Sequence, residues 1–443
     1  RAAHGRSQRR LSHKRTPRRM ACWPAPRWCG AMALVVYFGD LSLSATLLPF
    51  FLTDSLGVAR SWAGGCFAVQ YGCATLGLFA TGLASDRFGH RRTLATVMIV
   101  AAILLNVQGH VQSLGALLAL RAMQGFFASY GLGLTWVAHV SPPARLARDL
   151  AVAVIAAQAA VSAGGLLGGQ LSGDQFWIAS AILSVAPACN AAALMFARDP
   201  VAHSSPVHNG PSPLQGLRKI ARSSRVFVAS AYATFVFGCA IGLHMTMPPL
   251  LFKEEFGLPE SDIGRMYLVS GLVTLCCHAT LTPYFSKNRP EAAVCALCLL
   301  NGGLLAALAG WHSSAAAVLF SLSVVSLVTT AIALGVCNFL IARSARSCAP
   351  EALAVATGAT RCLFTLGQAI MPLLSVTLRS AVGAWLPFAI QGVLFVLAVP
   401  AMCVAARQAS SSSPAGSEAT VSGDNNTSSS QEPRYVANDS SIV

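Results

Sequence analysis

The chain has 443 residues, 54% of them hydrophobic and 11% charged, with a mean hydropathy of +0.59. A soluble domain of this size carries about a quarter charged residues, so the composition excludes one and points to a membrane protein. The formal net charge of +15 lies in short loops and a basic N-terminus rather than in a solvated basic domain, so it is no sign of nucleic-acid binding.

In chain order, residues 1–29 read as a basic cytoplasmic tail. Its opening RAAHGRSQRRLSHKRTPRRM contains no acid. Met20 is a candidate start, and an Arg-rich, acid-poor end also has the composition of an organellar transit peptide. Apolar runs of membrane-spanning length follow at about 31–52, 62–84, 94–112, 114–138, 150–172 and 176–197. A polar linker covers 198–225. Six more runs lie at about 226–251, 265–285, 290–311, 315–342, 352–378 and 381–405. Barrel strands would be about 10 residues long and alternating, so helices are expected. The expected fold is an all-α membrane protein with twelve transmembrane helices in two pseudo-symmetric six-helix bundles, 30–197 and 226–405. Residues 406–443 form a Ser-rich tail of disordered composition, with glycosylation acceptors at Asn425, Asn426 and Asn438 that stay silent in the cytoplasm.

Lys and Arg set the orientation. Arg87, Arg91 and Arg92 follow the second run, Arg145 and Arg148 the fourth, and Arg218, Lys219, Arg222 and Arg225 lie in the linker. Lys287 and Arg289 follow the eighth run, Arg343 and Arg346 the tenth. The opposite face carries acids such as Asp54, Asp174, Glu254, Glu255, Glu260 and Asp262 among scattered bases. Both termini are therefore expected in the cytoplasm. Which membrane the chain occupies is left open. The fourteen cysteines sit almost entirely in apolar runs and read as small hydrophobes. Neither Cys295 with Cys298 nor Cys276, Cys277 and His278 completes a four-ligand metal set. Nucleotide-binding, nucleophile and metal motifs are missing, so neither an enzyme nor a cofactor is expected.

The loop after the second run reads GLASDRFGHRR. Through Gly82, Asp86, Arg87, Gly89, Arg91 and Arg92 it resembles the G-x-x-x-D-R-x-G-R-R signature of the major facilitator superfamily. A small Gly82 would let helices approach, and Asp86 would face a neighbouring helix N-terminus and pair with Arg87 or Arg91, forming a cytoplasmic latch. The second half holds a decayed copy, TPYFSKNR, with Thr282 and Ser286 in place of Gly82 and Asp86. The latch is therefore expected on one side only. Span four, LLALRAMQGFFASYGLGLTW, resembles the R-x-x-Q-G signature of drug–proton antiporters through Arg121, Gln124 and Gly125. Span five, AVSAGGLLGG, resembles their glycine-rich motif at Gly164, Gly168 and Gly169, but has Ala160 and Gly165 where Gly and Pro are usual. His139 stands where relatives commonly have an acid. Within the superfamily the nearest likeness is to the drug–proton antiporters and vesicular amine transporters.

Span one, VVYFGDLSLSATLLPF, carries Asp40 about 15 Å from its cytoplasmic end, near the midplane. A carboxylate there costs about 2.5–3.5 kcal/mol on insertion scales and needs a partner. Vesicular amine and tetracycline-type carriers have a similar Asp followed nine residues later by Pro, here Pro49. Arg121 is the expected partner. The pair reads either as a proton carrier tuned by Arg121 or as a static ion pair. The second half offers Arg361, Gln368 and His244. Arg361 either faces the cavity or snorkels to the cytoplasm, and His244 is either functional or a satisfied core histidine. The resemblance implies a proton-coupled antiporter of drug- or amine-like solutes, working as a monomer by alternating access. A cavity holding Asp40, Arg121 and Arg361 would be positive, which favours an organic-anion uniporter or symporter using the two arginines. A non-transporting receptor is the third expectation.

Overall fold

A computed structural model describes residues 27–59, 62–141, 145–196, 213–310, 316–349 and 353–411. The expectations for the basic tail, the Ser-rich tail and the first part of the linker lie outside these residues. So do the side chains of Asp86, Arg87 and His139. The described residues form α1 (Arg27–Phe50), α2 (Trp62–Phe88), α3 (His90–Gln108), α4 (Leu114–Phe126), α5 (Tyr130–Val140), α6 (Leu146–Gln170) and α7 (Phe176–Phe196) in the first half. The linker helix α8 (Pro213–Ser223) follows. The second half holds α9 (Arg225–Glu254), α10 (Glu260–Lys287), α11 (Pro290–Ala309), α12 (Ala316–Cys348), α13 (Leu353–Ala381) and α14 (Trp385–Ser411).

Eleven described helices are long and apolar enough to cross a membrane. The expected fourth span departs from this: it is broken into α4 and α5 around Phe127, Ala128 and Ser129. Glycine contacts account for the break. Gly125 lies against the Gln70 carbonyl of α2, and Gly77 of α2 lies against the Phe126 carbonyl, each too close to admit a side chain. Beyond the break the chain is drawn to α1. Gly133 and Gly30 face each other's carbonyl oxygens, and Ser129 Oγ donates to the Ala33 carbonyl at 2.8 Å. The two pieces thus pack on different neighbours, and small residues permit both approaches.

The helices pair with a repeated pattern. In the first half α1 packs on α6, α2 on α4 and α3 on α7; in the second α9 packs on α13, α10 on α12 and α11 on α14. The halves meet along two equivalent seams, α6 with α10 and α2 with α13. Helices α1 and α9 are central, with 78% of each one's most apolar stretch buried. Leu76, Phe79 and Ile103 instead face outward, as lipid-facing side chains should. The glycines of span five explain its place. Gly164 and Gly168 face Gly39 and Thr46 of α1, while Gly165 and Gly169 face Tyr267 and Gly264 of α10. Two i, i+4 pairs on one helix therefore serve two interfaces, one inside the half and one between halves.

The loop signature needs one correction. A side chain on Gly82 would meet open space, so that glycine does not bring helices together. Gly89 does need to be glycine: it has φ +90° where α2 hands over to α3. In the second half Arg289, before α11, also has a positive φ, 50°, though in the left-handed helical region that Gly89 does not occupy. Two residues on, Glu291 forms an ion pair with Arg343 near the end of α12. The copy has lost its Asp but gained an acid–base pair just beyond it.

Candidate functional site

Asp40, on α1, is 5% exposed, and Arg121, on α4, is fully buried. Arg121 Nη1 lies 3.2 Å from Asp40 Oδ2, so the expected pair forms. Three more donors reach the same carboxylate. Ser44 Oγ donates to Oδ1 at 3.3 Å, Gln108 Nε2 to Oδ1 at 3.4 Å, and Gln70 Nε2 to Oδ2 at 3.4 Å. Arg121 also donates to Ser44 Oγ at 2.7 Å and to Gln70 Oε1 at 3.3 Å. Gln124 joins one step out, donating to Gln108 Oε1 at 2.7 Å. Four helices of the first half thus converge on one ion pair. A small cavity of about 30 Å³, room for one or two waters, is lined by Asp40, Gln70 and Gln124 together with the break residues Phe127, Ala128 and Ser129.

Arg361 of α13 does not snorkel away. Its guanidinium carbon stands 5.9 Å from the centre of the Tyr130 ring on α5, across the boundary between halves. Among the described residues no carboxylate pairs with it, and its Nε is buried without a partner. Tyr130 in turn packs on Tyr37, ring centres 4.7 Å apart, one turn before Asp40. The hydroxyls of Tyr37, Tyr71 and Tyr130 are buried without hydrogen-bond partners, as are both amide atoms of Gln368. His244 is half satisfied: Nδ1 bonds the Ala240 carbonyl at 2.7 Å, and Nε2 has no partner. Buried polar atoms are normally paired, so these open ones stand out among the described residues. The Asp40–Arg121 pair is neutral, so Arg361 leaves the interior with an unmatched positive charge.

The antiporter-like residues separate into two roles. Arg121 and Gln124 belong to the charged network, while the four glycines of α6 shape helix packing. Gln70, Gln108, Ser44 and the three tyrosines were not anticipated. Two glutamines inside apolar runs were the signal available. His278 Nδ1 lies 3.1 Å from Thr282 Oγ1.

Comparison with known families decides the class. The model of the Major Facilitator Superfamily matches residues 30–372. The chain belongs to the Major Facilitator Superfamily. Among solved structures, the crystal structure of the human organic anion transporter MFSD10 (TETRAN) is similar, with a TM-score of 0.64 and 19% sequence identity over 85% of this chain and 98% of that one. At that identity the likeness shows the fold alone. No curated protein matches the chain. Superfamily membership makes it a multi-pass membrane transporter of small solutes rather than an enzyme. Gln70 lies on α2 and Arg361 on α13, the two helices of one seam between the halves.

Proposed function

We propose that this superfamily member is a proton-coupled carrier of small organic anions, with Arg361 as the anchor for the substrate's negative group. The observation that carries this is the unmatched guanidinium of Arg361 over Tyr130. Arg361 is part-buried, with its Nε shut off from solvent, and a cation held there without a carboxylate partner is stabilised when an anion arrives to neutralise it. Asp40, by contrast, already accepts from four donors and has no capacity left for a cationic amine in this conformation. A proton on Asp40 would loosen its hold on Arg121 and offer the anion a second guanidinium. Proton and anion would then load together, which is symport. The printed name of MFSD10 agrees with an anionic substrate but comes from a distant relative.

The test is transport by the purified full chain in liposomes, using a panel of aromatic carboxylates and aromatic amines. An inward proton gradient should drive carboxylate uptake. Arg361→Gln should weaken carboxylate affinity about ten- to a hundredfold, the worth of one charge-assisted hydrogen bond. Asp40→Asn should leave carboxylate exchange running while uptake stops responding to the gradient. Amine uptake driven by an outward-directed proton gradient, with Arg361→Gln neutral, would establish the amine antiporter instead.

A further inference from the structure

The linker helix α8 presents a second candidate surface, independent of the substrate site. Its sequence, PLQGLRKIARS, is amphipathic. Leu217 and Ile220 turn inward against Phe227, Ile341, Ala345, Ala349 and Ala356, at the ends of α9, α12 and α13. Ile220 is fully buried there. The opposite face carries Arg218, Lys219 and Arg222, all exposed, and Arg225 follows at the start of α9, also exposed. Arg346, exposed, adjoins Ala345 on α12. None of these five makes an ion pair among the described residues. No acid occurs between Asp199 and Glu254.

Depth in the membrane says what this surface meets. Only Ser224 separates α8 from α9, and the apolar part of α9 begins at Val226. Arg222 and Arg225 therefore stand within about one helical turn of that apolar start, and Arg218 and Lys219 within about two, a range that takes in the lipid phosphates. The apolar side of α8 is spent on the protein, so the helix does not insert into the bilayer; it holds a fixed cationic rim over the headgroups. The distribution of Lys and Arg puts this face on the cytoplasmic side, whose leaflet is the anionic one.

We propose that α8, with Arg225 and Arg346, is a docking site for the headgroups of anionic phospholipids. Occupancy pins α8 to the leaflet, and through Ile220 it steadies the inner ends of α12 and α13. A soluble acidic protein is the competing occupant, and the placement at phosphate depth favours the lipid.

The full chain in neutral detergent tests this by thermal unfolding against added dioctanoyl phosphatidylglycerol, dioctanoyl phosphatidylcholine, glycerol 3-phosphate or polyglutamate. The wild type should gain several degrees from phosphatidylglycerol and little from the other three. Arg218→Gln/Lys219→Gln/Arg222→Gln, which keeps helix-forming side chains of similar length, should lose at least half of that gain. Lys287→Gln/Arg289→Gln, which removes exposed cations elsewhere on the same face, should keep it. Equal loss in both variants overturns the site in favour of general surface charge. Stabilisation by glycerol 3-phosphate or polyglutamate to the same extent overturns the lipid as occupant. If the triple variant does not fold, the wild type still decides. Its phosphatidylglycerol shift should fade as salt nears about 1 M, where screening acts within about 3 Å, and an undiminished shift rejects the proposal.

Discussion

Asp40 accepts hydrogen bonds from Ser44, Gln70, Gln108 and Arg121, so one carboxylate ties together α1, α2, α3 and α4. Removing one member of a buried ion pair strands the other, which typically costs about 3–5 kcal/mol, whereas removing both can be nearly neutral. Arg121→Met should therefore lower the unfolding midpoint sharply, and Asp40→Asn/Arg121→Met should recover most of the loss. If the double variant is no better than Arg121→Met, the pair is not the energetic unit. The pair itself was legible in the sequence, because a charge in hydrocarbon demands a partner and few candidates existed. Its neutral donors were not. Gln70 and Gln108 do not interrupt an apolar run as a charge does, and the tyrosines count toward its hydrophobicity. Arg361 was legible as an interior cation but not as an unpaired one, since pairing depends on which helices end up adjacent.

At the scale of elements, span lengths were legible because each helix must cover the same hydrocarbon thickness. The break in span four was not, because no proline marks it. It arises from two different packing partners, Gln70 on one side and Gly30 on the other, which only the assembled bundle supplies. The ion pair beyond the second-half loop was not legible for a similar reason: Glu291 lies outside the signature, and its partner Arg343 is on another helix. Glu291 is 8% exposed, and Arg343 also stacks on Phe339 with 5.8 Å between guanidinium carbon and ring centre. Because the Arg343 side chain is 45% exposed, solvent screens the attraction and its worth is about 1 kcal/mol. Glu291→Arg and Arg343→Glu should each reduce stability by at least that much, since each sets like charges together. The exchanged pair, Glu291→Arg/Arg343→Glu, should return toward the wild type. Additive losses in the exchanged pair would show that the contact between α11 and α12 does not depend on this ion pair.

The whole molecule is two copies of one packing scheme joined along smooth seams. Among the described residues no ion pair joins the halves. On one seam Thr75 and Thr365 share a hydrogen bond at 3.0 Å, and on the other small residues interleave. A Cβ on Gly169 would stand 2.5 Å from Gly264 Cα, and one on Gly264 would stand 2.5 Å from Gly169 Cα. The helices α6 and α10 thus touch backbone to backbone, a contact that can pivot without first breaking strong polar bonds. Gly264→Val should separate them. Overpacking of this kind costs about 1–3 kcal/mol, and backbone contacts cannot yield as a flexible side chain would. The expected outcome is a lower unfolding midpoint together with slowed turnover in liposomes, while substrate binding in detergent is retained, because Gly264 lies on the seam and not among the residues around Arg361. Gly303→Val provides the comparison: a side chain there meets open space, so the same chemical change should leave midpoint and turnover near wild type. Turnover unchanged by Gly264→Val would mean that the halves do not pivot at this seam. Equal damage from both variants would trace the effect to the valine itself rather than to the meeting of α6 and α10.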